Sequence, residues 1–182
     1  MIKGNYNLLY NTNYIDYYGD EEVEIGKIID ITTDKAIMYV YYVKNLYRKN
    51  GYHTCVDVYE SDDGEYPVAK IDDLHRACLF EKPEVFLSLM LHEYGHYKNG
   101  DLFLKGITTE QLKDERLRCI FEGRVDERER KADAFAVGIV GKNTFLRTLD
   151  YLIAMRKKRN DEGMLAAIKE FELRKKAVQK IK

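Results

Sequence analysis

The sequence predicts an α+β domain in which a small antiparallel β-sheet precedes a mostly helical region. Three observations carry this. Two alternating, β-branched runs, Tyr52–Tyr59 and Tyr66–Ile71, flank the turn-forming Ser61-Asp62-Asp63-Gly64. From Pro83 onward the apolar residues recur at helical spacing. The chain has 182 residues, 45% hydrophobic and 34% charged, with only 2 prolines, so one domain over 1–182 without a Pro-rich linker is expected.

Residues 1–33 carry six acidic side chains against Lys3 and Lys27 and are rich in Asn, Tyr and Gly. They read as loop with a short strand, and as a candidate N-terminal extension or pro-segment. Residues 34–50 read as a helix. Ile37, Val40, Tyr41 and Val43 form its stripe, and Asn50-Gly51 its stop. The two β-branched runs then make a hairpin.

Pro83 suits the first turn of the next helix and Gly100 the position after its end. Thr108-x-x-Gln111 fits a capping box. Gly123 reads as a break before a helix over 124–140. Asn143 or Thr144 is expected to cap a helix bearing Leu146, Leu149, Leu152 and Ile153, and a last helix covers 162–180. Residues 156–182 hold ten basic against four acidic side chains. They read as a basic, solvated amphipathic helix that buries Ala166, Ala167, Phe171 and Val178.

The formal net charge of −1 gives no reason to expect a nucleic-acid partner. Three scattered cysteines, with no CxxC pair, exclude a disulfide scaffold and a thiolate zinc ribbon. Cys78 and Cys119 read as small core residues. The longest apolar stretches, Ile37–Val43 and Val85–Leu91, fall far short of the roughly 20 residues that span a bilayer. No secretory signal is evident, so a cytoplasmic location without membrane attachment is expected.

The segment with chemistry is His92-Glu93-Tyr94-Gly95-His96. On a helix His92 and His96, four apart, stand one above the other and can share a metal ion. Glu93 then projects beside the ion, placed to take a proton from a bound water. This HExxH pattern is short enough to arise by chance, so its surroundings decide. Val85, Leu89, His92 and His96 share one stripe, Leu87, Leu91 and Tyr94 lie opposite, and Phe86, Met90 and Tyr97 flank Glu93. A helix apolar nearly all round is buried, and buried histidines need partners.

A second helix supplies them. Val125, Ala132, Ala136, Ile139 and Val140 form its apolar face, and Glu129 and Asp133 lie on that face, while Asp126, Glu127, Arg130 and Lys131 lie away from it. Core-facing carboxylates are costly unless paired or metal-bound. Glu129 is therefore inferred as the third zinc ligand. Asp133 would lie behind it, orienting a ligand histidine through the other ring nitrogen. Three protein ligands leave a fourth position for water, the arrangement of hydrolytic Zn2+ sites. His53 and His75 read as ordinary surface or strand residues.

These residues resemble the gluzincin metallopeptidases, above all the HtpX-like group and its small relatives, the minigluzincins. That group's signature, H-E-x-G-H-x-x-N-x-D followed by E-x-x-x-D, matches His92 to Asp101 and Glu129 to Asp133. The likeness extends over about 83–152. It implies a zincin-like fold, zinc on His92, His96 and Glu129, Glu93 as general base and acid, and an edge strand pairing with extended substrate. Tyr66–Ile71 is the candidate strand. The ImmA/IrrE-type regulatory peptidases are also similar, but tend to carry Asn where Asp133 stands. Large members of the HtpX-like group bear transmembrane helices, for which this sequence has no segment. The expected function is a zinc metalloendopeptidase acting on a protein or peptide substrate, with no obligate partner evident. A latent peptidase whose N- or C-terminal segment fills the cleft, or a zinc module without catalysis, would share these motifs.

Overall fold

The computed structural model describes residues 6–18, 21–30, 33, 35–44, 46, 54–61, 64–103, 106–159 and 164–181. Five strands, β1 (Tyr6–Tyr18), β2 (Glu21–Asp30), β3 (Lys35–Tyr42), β4 (Thr54–Ser61) and β5 (Gly64–Ile71), precede six helices. The helices are α1 (Asp73–Glu81), α2 (Pro83–Lys98), α3 (Thr109–Glu122), α4 (Glu127–Val140), α5 (Lys142–Arg159) and α6 (Met164–Gln179), with a 3₁₀ turn at Asp101–Phe103. The chain is α+β, as expected. The sheet, however, is mixed: its order is β1-β2-β3-β5-β4, with β3 and β5 parallel and the other pairs antiparallel.

The hairpin of β4 and β5 forms where the turn chemistry placed it, with Ser61 paired to Gly64. Two other expectations are corrected. The helix expected over 34–50 is strand β3. Met38 and Val40 face the main core, while Tyr41 and Val43 pack with Leu46 and Val68 on the other side of the sheet. A central strand buried on both faces is one continuous apolar run, and such a run mimics a helical stripe. The loop expected over 1–33 is largely β1 and β2, paired antiparallel with a register shift between Tyr10 and Ile15. Pairing across the sheet supplies what local pattern does not show.

The edge is also corrected. Tyr66–Ile71 lies in β5, between β3 and β4, so among the described strands the edge on this side of the sheet is β4. Val56 of β4 packs against the main core.

Helix α1 is an element the sequence reading did not assign. Asp72 caps it, its carboxylate accepting from the backbone N–H of Leu74 and of His75, both at 3.0 Å. Lys82 alone separates α1 from α2, and Pro83 opens α2 where its missing N–H costs nothing. Thr108 and Gln111 form the expected capping box on α3, and Gly123 ends it at φ 74°. Helix α5 starts at Lys142, ahead of the expected Asn143 or Thr144 cap, because Gly141 at φ 82° turns the chain directly out of α4.

Helix α2 lies in the middle of the core. Val85 to His92 are all buried, against Ile28, Met38, Val40, Ala69 and Ile71 of the sheet and Ala136, Phe145 and Leu149 of α4 and α5. Among the described residues no helix is long and apolar enough to cross a membrane.

Helices α2 and α4 meet at Gly95. A Cβ there would lie 3.0 Å from the Cα and 3.1 Å from the carbonyl oxygen of Ala132, both backbone atoms that cannot rotate away. Gly95→Ala is therefore expected to force the two helices apart. The cost is about 1–3 kcal/mol of stability, read as a lower midpoint in urea.

Candidate metal centre

Helix α2 turns His92 and His96 toward α4, and α4 presents Glu129 and Asp133, four apart, to them. His92 Nε2 lies 3.2 Å from His96 Nε2 and 3.4 Å from Glu129 Oε2, and His96 Nε2 lies 3.7 Å from Glu129 Oε1. His92 and Glu129 are buried and His96 half-buried. Each offers one ligand atom, and the three residues are close enough to bind a metal ion. A tetrahedral ion with bonds of about 2.0–2.1 Å holds its ligand atoms about 3.3 Å apart, in the middle of these separations.

Each imidazole is held from behind by a carboxylate. Asp133 Oδ1 lies 2.9 Å from His92 Nδ1, and Asp101 Oδ2 lies 2.8 Å from His96 Nδ1. Donating the Nδ1 proton to a carboxylate fixes the tautomer and leaves the Nε2 lone pair pointing forward. Two such lone pairs at 3.2 Å repel unless a cation or proton stands between them. Glu129 Oε2 is buried and accepts no well-aligned hydrogen bond, although Arg174 Nη1 is 2.9 Å away. These are the features of donors that fit a metal ion.

Without an ion, a proton takes its place. Burial and the Arg174 charge press the His92 pKa down, but hydrogen bonds to Asp133 and Glu129 outweigh them and push it up to about 9. Burial alone would raise Glu129 and Asp133. The Arg116 and Arg174 charges hold Glu129 well below the ordinary carboxylate value, and Arg174 does the same for Asp133.

Two residues of this centre, Arg174 and Arg116, were not found in the sequence, and a third, Asp101, was read only as the last position of the resembled signature. Arg174 of α6 grips Asp133 with a two-pronged fork, Nε to Oδ2 at 2.9 Å and Nη2 to Oδ1 at 2.5 Å. It is 3% exposed and shares the buried stripe of α6 with Phe171 and Val178. That placement was the available signal: an arginine at i+3 and i−4 to apolar positions of an otherwise solvated helix. The C-terminal helix therefore does more than bury an apolar face. Arg116 of α3 bonds Glu170 through Nε at 2.6 Å and places Nη1 3.4 Å from Glu129 Oε1. Asp101 follows the α2 cap at Asn99 and the turn at Gly100, φ 77°, so the segment that ends the helix also returns a carboxylate to His96.

Of the other sequence candidates, Glu93 is half-buried, and no described residue holds its carboxylate. Asp126, expected on the outer face of α4, is buried as its N-cap, accepting from Arg128 N at 2.9 Å. His75 is buried on α1 against Asp72, not on a strand or the surface. His53 lies outside the described residues. Cys78 and Cys119 are buried, as expected. Tyr94 packs on Tyr97 and Phe135, away from the ligands.

A cleft of about 200 Å³ opens in front of the ligands. His96 and Glu129 line it together with Val56 of edge strand β4 and Leu112 and Arg116 of α3. No protein-family profile, curated protein or solved structure matches the chain.

Three predictions follow from this geometry. The purified chain should bind about one divalent ion, measured by elemental analysis, and His92→Ala, His96→Ala or Glu129→Ala should lose it. Arg174→Gln should lower the stability of the chain and weaken the ion about 10–100-fold in a competition titration, because Asp133 loses its anchor behind His92. The third prediction concerns pH. A raised His92 pKa stabilises the metal-free fold fully below about 6.5, and that share is lost as pH rises through about 9. Thermal melting of chelated protein should therefore fall by several degrees between pH 6 and pH 10. The metal-loaded protein, with His92 already deprotonated, should lack this step.

Proposed function

We propose that the chain is a zinc-dependent peptidase. One observation carries the proposal: two imidazoles and a carboxylate converge within metal-ligand distance, with Glu93 adjacent to the first imidazole on the same helix. A nitrogen, nitrogen, oxygen set with a solvent-facing side suits Zn2+ among the available ions. The likeness of His92–Asp101 and Glu129–Asp133 to the gluzincin signature supports the same reading.

When bound, the ion supplies Lewis acidity to a water and to the substrate carbonyl. The chain supplies the rest. Asp133 and Asp101 keep His92 and His96 in one tautomer and orientation. Glu93, held by no side chain among the described residues, takes a proton from the attacking water and later gives it to the leaving amine. The edge strand β4 offers backbone N–H and C=O groups to an extended peptide laid along the cleft, which gives affinity with little dependence on sequence. One water is consumed, the C–N bond breaks, and a carboxylate and an amine leave.

Glu93→Gln tests the assignment. It should retain the ion, because Glu93 is not a ligand, and lose at least about 100-fold in cleavage of a quenched-fluorescent peptide library. Unchanged cleavage by that variant would remove Glu93 from the mechanism. Metal binding without cleavage by the wild type would favour a module that uses the ion only to bind.

A further inference from the structure

We infer that Arg116 is the donor that stabilises the negative oxygen formed when water adds to the scissile carbonyl. The inference rests on the peptidase reading and names a catalytic residue that the sequence motifs do not include.

Addition of water turns the carbonyl π pair into a charge on oxygen, and hydrolases place a fixed hydrogen-bond donor where that charge develops. Such a donor must line the cleft beside the metal ligands, be partly exposed, be held in place, and have N–H groups left to give. Arg116 meets each condition. It lines the cleft with His96 and Glu129. Its side chain is 42% exposed, while the Glu170 carboxylate that anchors Nε at 2.6 Å is 8% exposed. The anchor consumes one edge of the guanidinium. The Nη1 contact to Glu129 Oε1 is 3.4 Å, longer than a good hydrogen bond, and Nη2 has no partner among the described residues. A guanidinium held at one edge by a buried carboxylate presents its remaining donors in a fixed plane.

The other donors nearby fail on at least one condition. Arg174 is 3% exposed and gives its N–H groups to Asp133. Arg128 lines the cleft but is bound to Asp126 through Nε at 3.0 Å and to the carbonyl of Leu112. Lys113 is exposed and carries a single compact ammonium in place of a planar fork of donors. Tyr94 and Tyr97 stack on each other, with Phe135 and Phe103 beyond them. The cleft is thus lined both by Val56 of β4, the strand proposed to hold the peptide, and by Arg116 of α3. As Glu93 takes the water proton, Arg116 donates to the new oxyanion. The charge collapses back to a carbonyl when the C–N bond breaks and the amine leaves with that proton.

The test uses the full chain loaded with zinc, in wild-type, Arg116→Gln, Arg116→Lys and Glu170→Gln forms. Zinc content, kcat and KM on a quenched-fluorescent peptide, and affinity for N-phosphoryl-Leu-Trp are measured for each. The phosphoryl group of that probe copies the tetrahedral oxyanion. Arg116→Gln should keep one zinc, change KM by less than about threefold and lose about 10²–10³ in kcat, with a parallel loss of affinity for the phosphoryl probe. Arg116→Lys should restore part of both, and Glu170→Gln should show a smaller loss of the same kind. Wild-type kcat and probe affinity in Arg116→Gln overturn the inference. So does loss of zinc in step with activity, which would make Arg116 a brace for Glu129 only. A wild-type chain that binds zinc but neither cuts peptides nor binds the probe overturns the peptidase reading itself, and this inference falls with it.

Discussion

Everything around the site follows from the burial of Glu129 and Asp133 on the core-facing side of α4. An ionised carboxylate removed from water costs several kcal/mol unless opposite charge and hydrogen bonds meet it. Two of them, one turn apart, oblige the neighbouring elements to bring cations inward. Helix α6 brings Arg174 to Asp133, α2 brings His92 to both, and α3 brings Arg116 to Glu129. Arg116 in turn requires Glu170 of α6. The packing of α3, α4 and α6 is thus written in charge as well as in apolar area. Removal of any one member leaves a buried partner uncompensated, which is why such networks are sensitive to single substitutions.

Close approach is the second constraint. His92 and His96 reach Glu129 only because Gly95 lets α2 press on the backbone of Ala132, one residue from Asp133. The glycine inside the HExxH run and the alanine inside the ExxxD run are therefore one feature, a contact that sets ligand separation. The sheet then positions α2 from behind, and Val56 of its β4 edge lines the cleft.

How much of this could be read from the chain depends on which interactions are local. The cluster of His92, His96 and Glu129, and the place of Asp133 beside His92, were legible because i,i+4 spacing on a helix is a local rule, and the apolar stripe gave each helix its phase. The β4–β5 hairpin was legible from its turn. The strand β3 was not, because two buried faces erase the period-2 alternation. β1 and β2 were not, because their pairing is between distant segments. Tyr66–Ile71 looked like the rim strand because sequence order does not show that β3 pairs on its far side. Arg116 and Arg174 lie 13 residues before and 45 after Glu129 by position, in segments whose many other charges are solvated, so only the fold separates them from their neighbours. Arg174 left a trace on the apolar stripe of its helix; Arg116 left none.

The charges themselves argue for a divalent ion. Around the two imidazoles stand Glu129, Asp133 and Asp101, and Arg174 is the cation bound directly to this group, while Arg116 and Glu170 cancel each other. The group is left with an excess of two negative charges. A proton on His92 offsets one, which is the physical content of its raised pKa. A divalent ion offsets both, satisfies the orphaned Glu129 Oε2, and separates the two facing Nε2 atoms. It does so without calling on Glu93, whose carboxylate no described residue holds. A structural zinc site is closed by four protein ligands. Here the described residues supply three ligand atoms and a cleft beside them, which supports the proposed reading of a site open to a bound molecule.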